Sequence, residues 1–543
     1  MRSASFNGWA SIQLLLLLCR SLASAVKYGE NHAPVERDED LVAANFPDTN
    51  ETLFSPAFAN PQSVLPGFAN GTDGPTDDAT LDLFLRSIAE RNDWVHYKIA
   101  DFTSEEGRPF PYVFLSSPAS QGGAKPKLRV WIQGGVHGNE PAGDQAVLAL
   151  LGKLDADQSW REGLLERLDI TLLPRYNPDG VAYFQRALAS NLDPNREHTK
   201  LFREMSRGHK RLLSSFSPHV TVDMHEFTGT RPYGSGGVYK HGMDALIAAG
   251  KNLNTHPDIR NISEVLFAAG VGKRIEEKGF RWDPYFTGSS TTGANLVLAE
   301  AGSDAKAGRN NYALAQSVTI LCEVRGIRLA DQHFQRRVAT ALNMVSAALD
   351  IAVENADEVY ETVEGAISKF IHSNDPIVLT DYPNPINRTI TFINRTDGAI
   401  TQVPVSFLST TPTTANQTRA RPEAYLIPRT WSELAVRLRD SGVEVETLSD
   451  GYRGPAEALT ITSAAVARGY YEGAVQVTVT TEAAWKEELV LPPGSFRVGA
   501  RQKNAALAFV ALEPENVDSY VRFNLVPVGV GDEYPVFRIP RVG

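Results

Sequence analysis

Residues 130–141 read VWIQGGVHGNEP and place an imidazole and a carboxylate three positions apart, His137 and Glu140, just past an apolar run. Nitrogen and oxygen donors of this kind suit a zinc ion, but two donors do not make a site. A third stands in PHVTVDMHEF, where His225 closes a Val-rich run. His219 shares its face by period-two alternation, yet six residues of strand put it roughly 20 Å away, at the wrong end. Two imidazoles and one carboxylate leave a coordination position open, the composition of catalytic rather than structural zinc. His-x-x-Glu pairs are common by chance, so the set depends on what else the chain carries. HEFTG, from His225, begins like His-Glu-x-x-His but has Gly229 where a second histidine would stand, and no Gly-x-Ser-x-Gly elbow occurs.

Such donors need elements to hold them. PYVFLSSP, KLRVWIQGG, LDITLLPRYNPDG, PHVTVDMHEF and SVTILCEVRG each read as a strand ending in polar residues, with helical stretches such as LDLFLRSIAERND and PAGDQAVLALLGKL between several of them. A long helical pattern follows over residues 331–370. Alternating strands and helices predict an α/β fold with a mixed, largely parallel sheet sandwiched by helices. In such sheets functional groups collect where strands end at their carboxyl edge. His137 follows one such strand, and Glu140 precedes Pro141, a residue favoured in a first helical turn, so the two straddle a strand-to-helix turn.

Beyond residue 373 the texture changes to short β-rich runs, ITFINRT, ALTITSA, GAVQVTVTT, FRVGARQ and EYPVFRIP, with one helical insert at WSELAVRLRDSG. With 543 residues, two domains are expected: residues 79–372 as the catalytic unit and 373–543 as a smaller, mostly β C-terminal domain. Residues 26–78, rich in Asn, Pro, Asp and Gly, predict an irregular extension.

Residues 1–25 combine Arg2, an apolar run and small residues ending at Ala25, which predicts a cleaved secretory signal peptide. Removing it takes Cys19 and leaves Cys322 alone, so no internal disulfide is expected. Six Asn-x-Ser/Thr sequons, at Asn50, Asn70, Asn261, Asn387, Asn394 and Asn416, fit a secreted glycoprotein. The formal charge of -11 falls to -13 once Arg2 and Arg20 go with the signal, which argues against nucleic acid as a partner, and no later stretch is apolar enough to span a membrane.

Read in order, GGVHGNEP, RYNPDG, DPNR, a late histidine and a glutamate on a final strand resemble the zinc carboxypeptidases of the carboxypeptidase A and B type, over about residues 80–370. The resemblance implies a carboxypeptidase-like fold, one zinc per catalytic domain held by His137, Glu140 and His225, and a peptide or protein substrate with a free C-terminal carboxylate. It makes Asn195 and Arg196 the groups that hold that carboxylate and Asp193 the partner of His137. Both roles are chemically apt: a guanidinium fork matches a carboxylate, and a ligating imidazole needs its other nitrogen fixed. Glu323, in TILCEVRG, matches the general base that takes a proton from the zinc-bound water, although neighbouring Arg325 could instead pair with it. Arg186 matches the arginine that polarises the scissile carbonyl.

The family's mobile tyrosine has no clear counterpart. Tyr312 lies closer to Glu323 than the pattern requires, Tyr285 is another option, and both stay unassigned. The residue that selects the terminal side chain falls in the same stretch, LAEAGSDAKAGRNNYALAQ, so preference is open too. The expectation is therefore a secreted zinc metallocarboxypeptidase. A zinc-dependent deacylase of N-acyl amino acids, of the aspartoacylase or succinylglutamate desuccinylase type, shares the zinc set and clamp and is the enzymatic alternative; an inactive peptidase scaffold that only binds is the other.

Overall fold

The structure is a computed structural model describing residues 34–58, 76–117, 125–290 and 295–541. The expected signal at 1–25, with Cys19, and the sequon at Asn70 lie outside the described residues.

Eight strands form the first sheet: β1 (Val95–Thr103), β2 (Pro109–Leu115), β3 (Leu128–Gln133), β4 (Leu168–Leu173), β5 (Val220–Thr228), β6 (Ala245–Ala249), β7 (Trp282–Pro284) and β8 (Val318–Ile327). Their spatial order is β1-β2-β4-β3-β5-β8-β6-β7. The central pairings β4-β3, β3-β5 and β5-β8 are parallel, with antiparallel neighbours toward the edges. This is the mixed, largely parallel sheet that the alternating pattern predicts.

Strands β5 and β8 are buried along nearly their whole length, as a sheet covered on both faces requires. Alternation divides their residues between two cores. Val220, Val222 and Met224 of β5 join Val318, Ile320, Cys322 and Val324 of β8 in the largest core, beneath helices Asp78–Arg91, Pro141–Ala156 and Phe334–Glu354. On the other face Trp131 and Leu173 pack with Met205 and Leu213 of helix Glu204–Phe216. Thr221, Asp223 and His225 of β5, and Glu323 of β8, must then share that second face.

The pattern read as one helix over 331–370 is two, Phe334–Glu354 and Ala356–His372. Asn355 breaks it: at φ -115 it leaves the helical region, and its amide donates to the Ile351 carbonyl at 2.9 Å, capping the first helix. Residues 34–58 hold little regular structure besides Asp40–Ala43, yet they are anchored. Val42 and Phe46 are buried, and Asp38 accepts from Arg325 Nη2 at 2.7 Å.

A second sheet takes strands from both sides of residue 373, in the order Tyr239–His241, Ile377–Asn394, Ile400–Arg419, Val297–Glu300, Phe286–Ser290. A third contains the long hairpin of Tyr452–Tyr471 and Ala474–Leu491, with its core around the buried, wholly apolar helix Ala505–Leu512. No described helix is long and apolar enough to cross a membrane. The sequon residues Asn50, Asn261, Asn387 and Asn416 are exposed, and Asn394 is half-buried.

Candidate metal centre and catalytic cleft

The loop after β3 carries the first two donors, and its glycines are dictated by proximity. A Cβ on Gly138 would lie 1.8 Å from the carbonyl carbon of Gly180, so GGVHGNEP can settle onto NPDG only with glycine there. Gly135 adopts φ +64, a conformation that costs glycine little. Pro141 opens helix Pro141–Ala156. The free Ala142 N–H of its first turn donates to Glu226 Oε1 at 2.6 Å, and Glu226 is in turn paired with Arg337 at 2.7 Å. Thus the residue after His225 pins the helix that follows Glu140, while its own N–H donates to Glu140 Oε2 at 3.0 Å.

His137, Glu140 and His225 converge, with one donor atom from each lying within 4.8 Å of the others, all buried. The two Nδ1 atoms stand 3.1 Å apart, and each approaches Glu140, His137 at 2.8 Å and His225 at 3.0 Å. The outer nitrogens point to acids: His137 Nε2 is 3.1 Å from Asp193 Oδ1, and His225 Nε2 is 3.2 Å from Asp223 Oδ2. The Asp193 hydrogen bond keeps a hydrogen on His137 Nε2 and the Asp223 charge favours one on His225 Nε2, which turns the Nδ1 atoms inward, the tautomer a metal needs. The electrostatics agree. Burial disfavours a charged His225, yet Asp223 and Glu140 outweigh it and hold a proton there well above the ordinary imidazole range. The cluster collects positive charge, which a bound cation would supply.

Asp193 is fixed from several sides. Its Oδ1 accepts the Asn195 N–H at 2.8 Å and its Oδ2 accepts from Arg186 at 3.0 and 3.1 Å; Arg186, and then His137, overcome burial to hold it well below the usual carboxylate range. Arg186 also donates to Glu140 Oε1 at 3.0 Å. It is carried there by Asn177 of RYNPDG, whose side chain caps helix Pro178–Tyr183 and donates to the Ala187 carbonyl at 3.1 Å.

His137, Arg186, Asn195, Arg196 and Glu323 line one cleft of about 710 Å³. Glu323 sits beside His225 in the parallel β5-β8 register. Its Oε2 is buried without a hydrogen-bond partner among the described residues. Burial, aided by the charges of Glu140 and Asp223, pushes its pKa up to about 8; a cation among the three donors would draw it back down. Arg325, the alternative partner of Glu323, turns away to Asp38 and the Gly229 carbonyl. Asn195 Oδ1 accepts the Gly308 N–H at 2.7 Å, which orients the amide so that its NH2 is left for a ligand. His219 is far from all of this, with Nδ1 accepting the Arg129 N–H.

The two unassigned tyrosines separate. Tyr312 is buried beneath the site, accepting from Gln133 Nε2 at 3.0 Å, whereas Tyr285 lines the cleft. Three participants were missed from sequence. Asp223 had a usable signal, since it lies two residues before His225 and therefore on its face. Arg309 gave none beyond its position in an unassigned stretch. Glu472 gave none at all: it sits at the tip of the long hairpin, where its Oε2 accepts the Asp193 N–H at 2.7 Å, and its neighbour Tyr471 lines the cleft.

Comparison with known proteins bears on this geometry. The family model described as zinc carboxypeptidase matches residues 84–225, ending at the third metal donor. Carboxypeptidase 2 of Trichophyton tonsurans is 51% identical over 520 residues, covering 95% of this chain and 96% of its own length. Carboxypeptidase 2 of Trichophyton rubrum is 51% identical over 519 residues, with the same coverage. Among solved structures, the metallo-carboxypeptidase from Burkholderia cenocepacia aligns with 51% of this chain and 70% of its own, at 16% identity and a TM-score of 0.40.

Proposed function

The chain belongs to the zinc carboxypeptidase family and is a metallocarboxypeptidase, and from that premise we propose that it is a secreted zinc enzyme which hydrolyses the C-terminal peptide bond of peptides and proteins, with Glu323 as general base. One observation carries the reading: the His137, Glu140 and His225 donors converge at the cleft that Glu323, Asn195 and Arg196 also line. Zinc held by those donors would act as a Lewis acid toward the scissile carbonyl and lower the pKa of water toward neutrality.

The chain's own groups do the rest. Glu323, which lines the cleft and has one carboxylate oxygen without a partner, takes the proton of the attacking water and returns it to the departing nitrogen. Arg196 and the Asn195 amide bind the terminal carboxylate and so fix which bond reaches Glu323. Arg186 has three of its five N–H groups on Asp193 and Glu140, leaving one hydrogen on each terminal nitrogen for the developing oxyanion. Asp193 and Asp223 keep the two imidazoles in the ligating tautomer.

Secretion and glycosylation are supported by the signal-like segment 1–25 and the exposed sequon residues Asn50, Asn261, Asn387 and Asn416. A deacylase is not favoured, since the relatives bear the name carboxypeptidase. Retention of the three donors and Glu323 weighs against an inert scaffold.

The deciding experiment compares a peptide acid with its amide. If Asn195 and Arg196 clamp a carboxylate, the acid is shortened by one residue at a time and the amide far more slowly. Hydrolysis of N-acyl amino acids alone would revive the deacylase, and internal cleavage of the amide at an equal rate would remove the clamp.

A further inference from the structure

The cleft contains a cation that the catalytic scheme does not use. Arg309, on helix Gly308–Leu314, lines it and is only 8% exposed. Its Nη2 donates to the Gly302 carbonyl, its buried Nε has no partner, and among the described residues it forms no ion pair with an acid. Among the acids on the wall, Glu323 forms no ion pair with it, and the others are already matched. Glu300 pairs with Lys251 at 3.0 Å, Asp304 with Lys306, and Glu226 with Arg337.

A buried guanidinium without an anion is costly, so its retention calls for a ligand that neutralises it. Burial draws its pKa below the ordinary arginine value, with Tyr285 and Glu323 only partly opposing. Its position says where that ligand's anion lies. Arg309 directly follows Gly308, whose N–H is held by the Asn195 side chain at 2.7 Å. Arg309 thus enters the wall next to Asn195, and it shares the cleft with Arg196, whose charge it feels.

We propose that Arg309 binds the side-chain carboxylate of an acidic C-terminal residue, Glu or Asp, while Asn195 and Arg196 hold its α-carboxylate. This rests on the carboxypeptidase reading and gives it a substrate class: peptides ending in an acid. A planar fork pairs with a carboxylate through two N–H groups. A terminal glutamine, of the same shape, leaves the guanidinium charge unmet, and a terminal lysine meets like charge. A polar site rejects an analogue that cannot complete its pairing more strongly than an apolar site rejects a missing methylene.

The test uses the full-length zinc enzyme and three peptides identical except for C-terminal Glu, Gln or Lys. Expected is a kcat/KM for Glu about 30-fold above Gln, the size of a charge-assisted hydrogen bond, and Lys lowest. R309Q should bring the Glu-to-Gln ratio to within about threefold, with zinc content and thermal midpoint checked in parallel. If R309Q fails to fold, R309K serves instead: a charge without the fork should lower the ratio several-fold. Comparable rates on all three peptides in the wild type, or a ratio unchanged in a folded variant, would overturn the role of Arg309 while leaving the carboxypeptidase reading intact. A protein that shortens none of the three removes both.

Discussion

The cleft has two walls of different origin. One is the carboxyl edge of β3, β5 and β8, which presents His137, Glu140, His225 and Glu323 within short, recognisable stretches of chain. The other arrives from far along the sequence: the tip of the hairpin Tyr452–Tyr471 and Ala474–Leu491, with Glu472 on the Asp193 backbone 279 residues away. Gly473 there, at φ +88, is in a conformation suited to glycine, and a Cβ on it would crowd Phe202 at 3.0 Å. The sheet edge supplies the proposed metal donors and base, whereas the hairpin supplies none. What it adds is a brace behind Asp193, which positions His137 and Arg186. Chemistry is concentrated on one wall, and the other decides how firmly the chemistry is held.

Substitutions that break this contrast should differ greatly in size. The largest effect belongs to Glu323→Gln, which removes the proposed base but none of the proposed metal donors: turnover should fall by about 10⁴-fold while zinc content by elemental analysis stays at wild-type level. Near-normal turnover would return Glu323 to a structural role. Glu140→Gln removes the one anionic donor and should weaken zinc binding by more than about 100-fold, read by competition with a chelator, with added zinc restoring part of the activity.

Between the walls stands the proposed carboxylate clamp of Asn195 and Arg196. Arg196→Ala should narrow the acid-over-amide ratio by about 50-fold, with less effect on amide cleavage itself. On the hairpin, Glu472→Ala should lower kcat/KM by only about 10-fold, and Glu472→Gln, which keeps an acceptor for the Asp193 N–H, should recover most of it. An alanine variant with wild-type kinetics would show that the hairpin merely packs there.

The smallest effect on catalysis is expected from Asp38→Asn, which instead costs stability. Burial raises the Asp38 pKa, but the His333 imidazole 3.4 Å away and hydrogen bonds from Arg325 win and hold it at about 2. A folded-state pKa depressed in this way adds stability that is complete above pH 4 and lost as pH falls from about 4 toward 2. The contribution is roughly 2 kcal/mol. Thermal midpoints at pH 7 and pH 3 check it: the wild type should drop between them by more than the variant.

Much of the α/β unit was legible because its signals are local. A strand buried on both faces must be an unbroken apolar run, and a strand-to-helix turn must be marked by glycine before and proline after, so β3, β5, β8 and the helix at Pro141 could be read from their own residues. Strand rise, rather than alternation, excluded His219 in favour of His225, and the structure puts His219 just before β5 and His225 toward its carboxyl end. One helix is read where two exist, since Asn355 stands in a polar run, ENADE, that a solvated helix face carries equally well, and its capping bond exists only in the folded chain.

What sequence could not supply is everything set by distance along the chain. Nothing near Asp193 announces Glu472, nothing near Asn195 announces Arg309, and nothing local tells that Tyr285 lines the cleft while Tyr312 is buried beneath it. The second sheet shows the same limit, because residues 377–419 pair with strands at 239–241 and 297–300 that no texture change foretold. Periodicity and turn chemistry act between neighbours, so they fix the elements and the residues each can offer. Burial, ion pairing and hydrogen bonding between distant segments exist only once the chain has closed on itself, and they decided which of those residues meet.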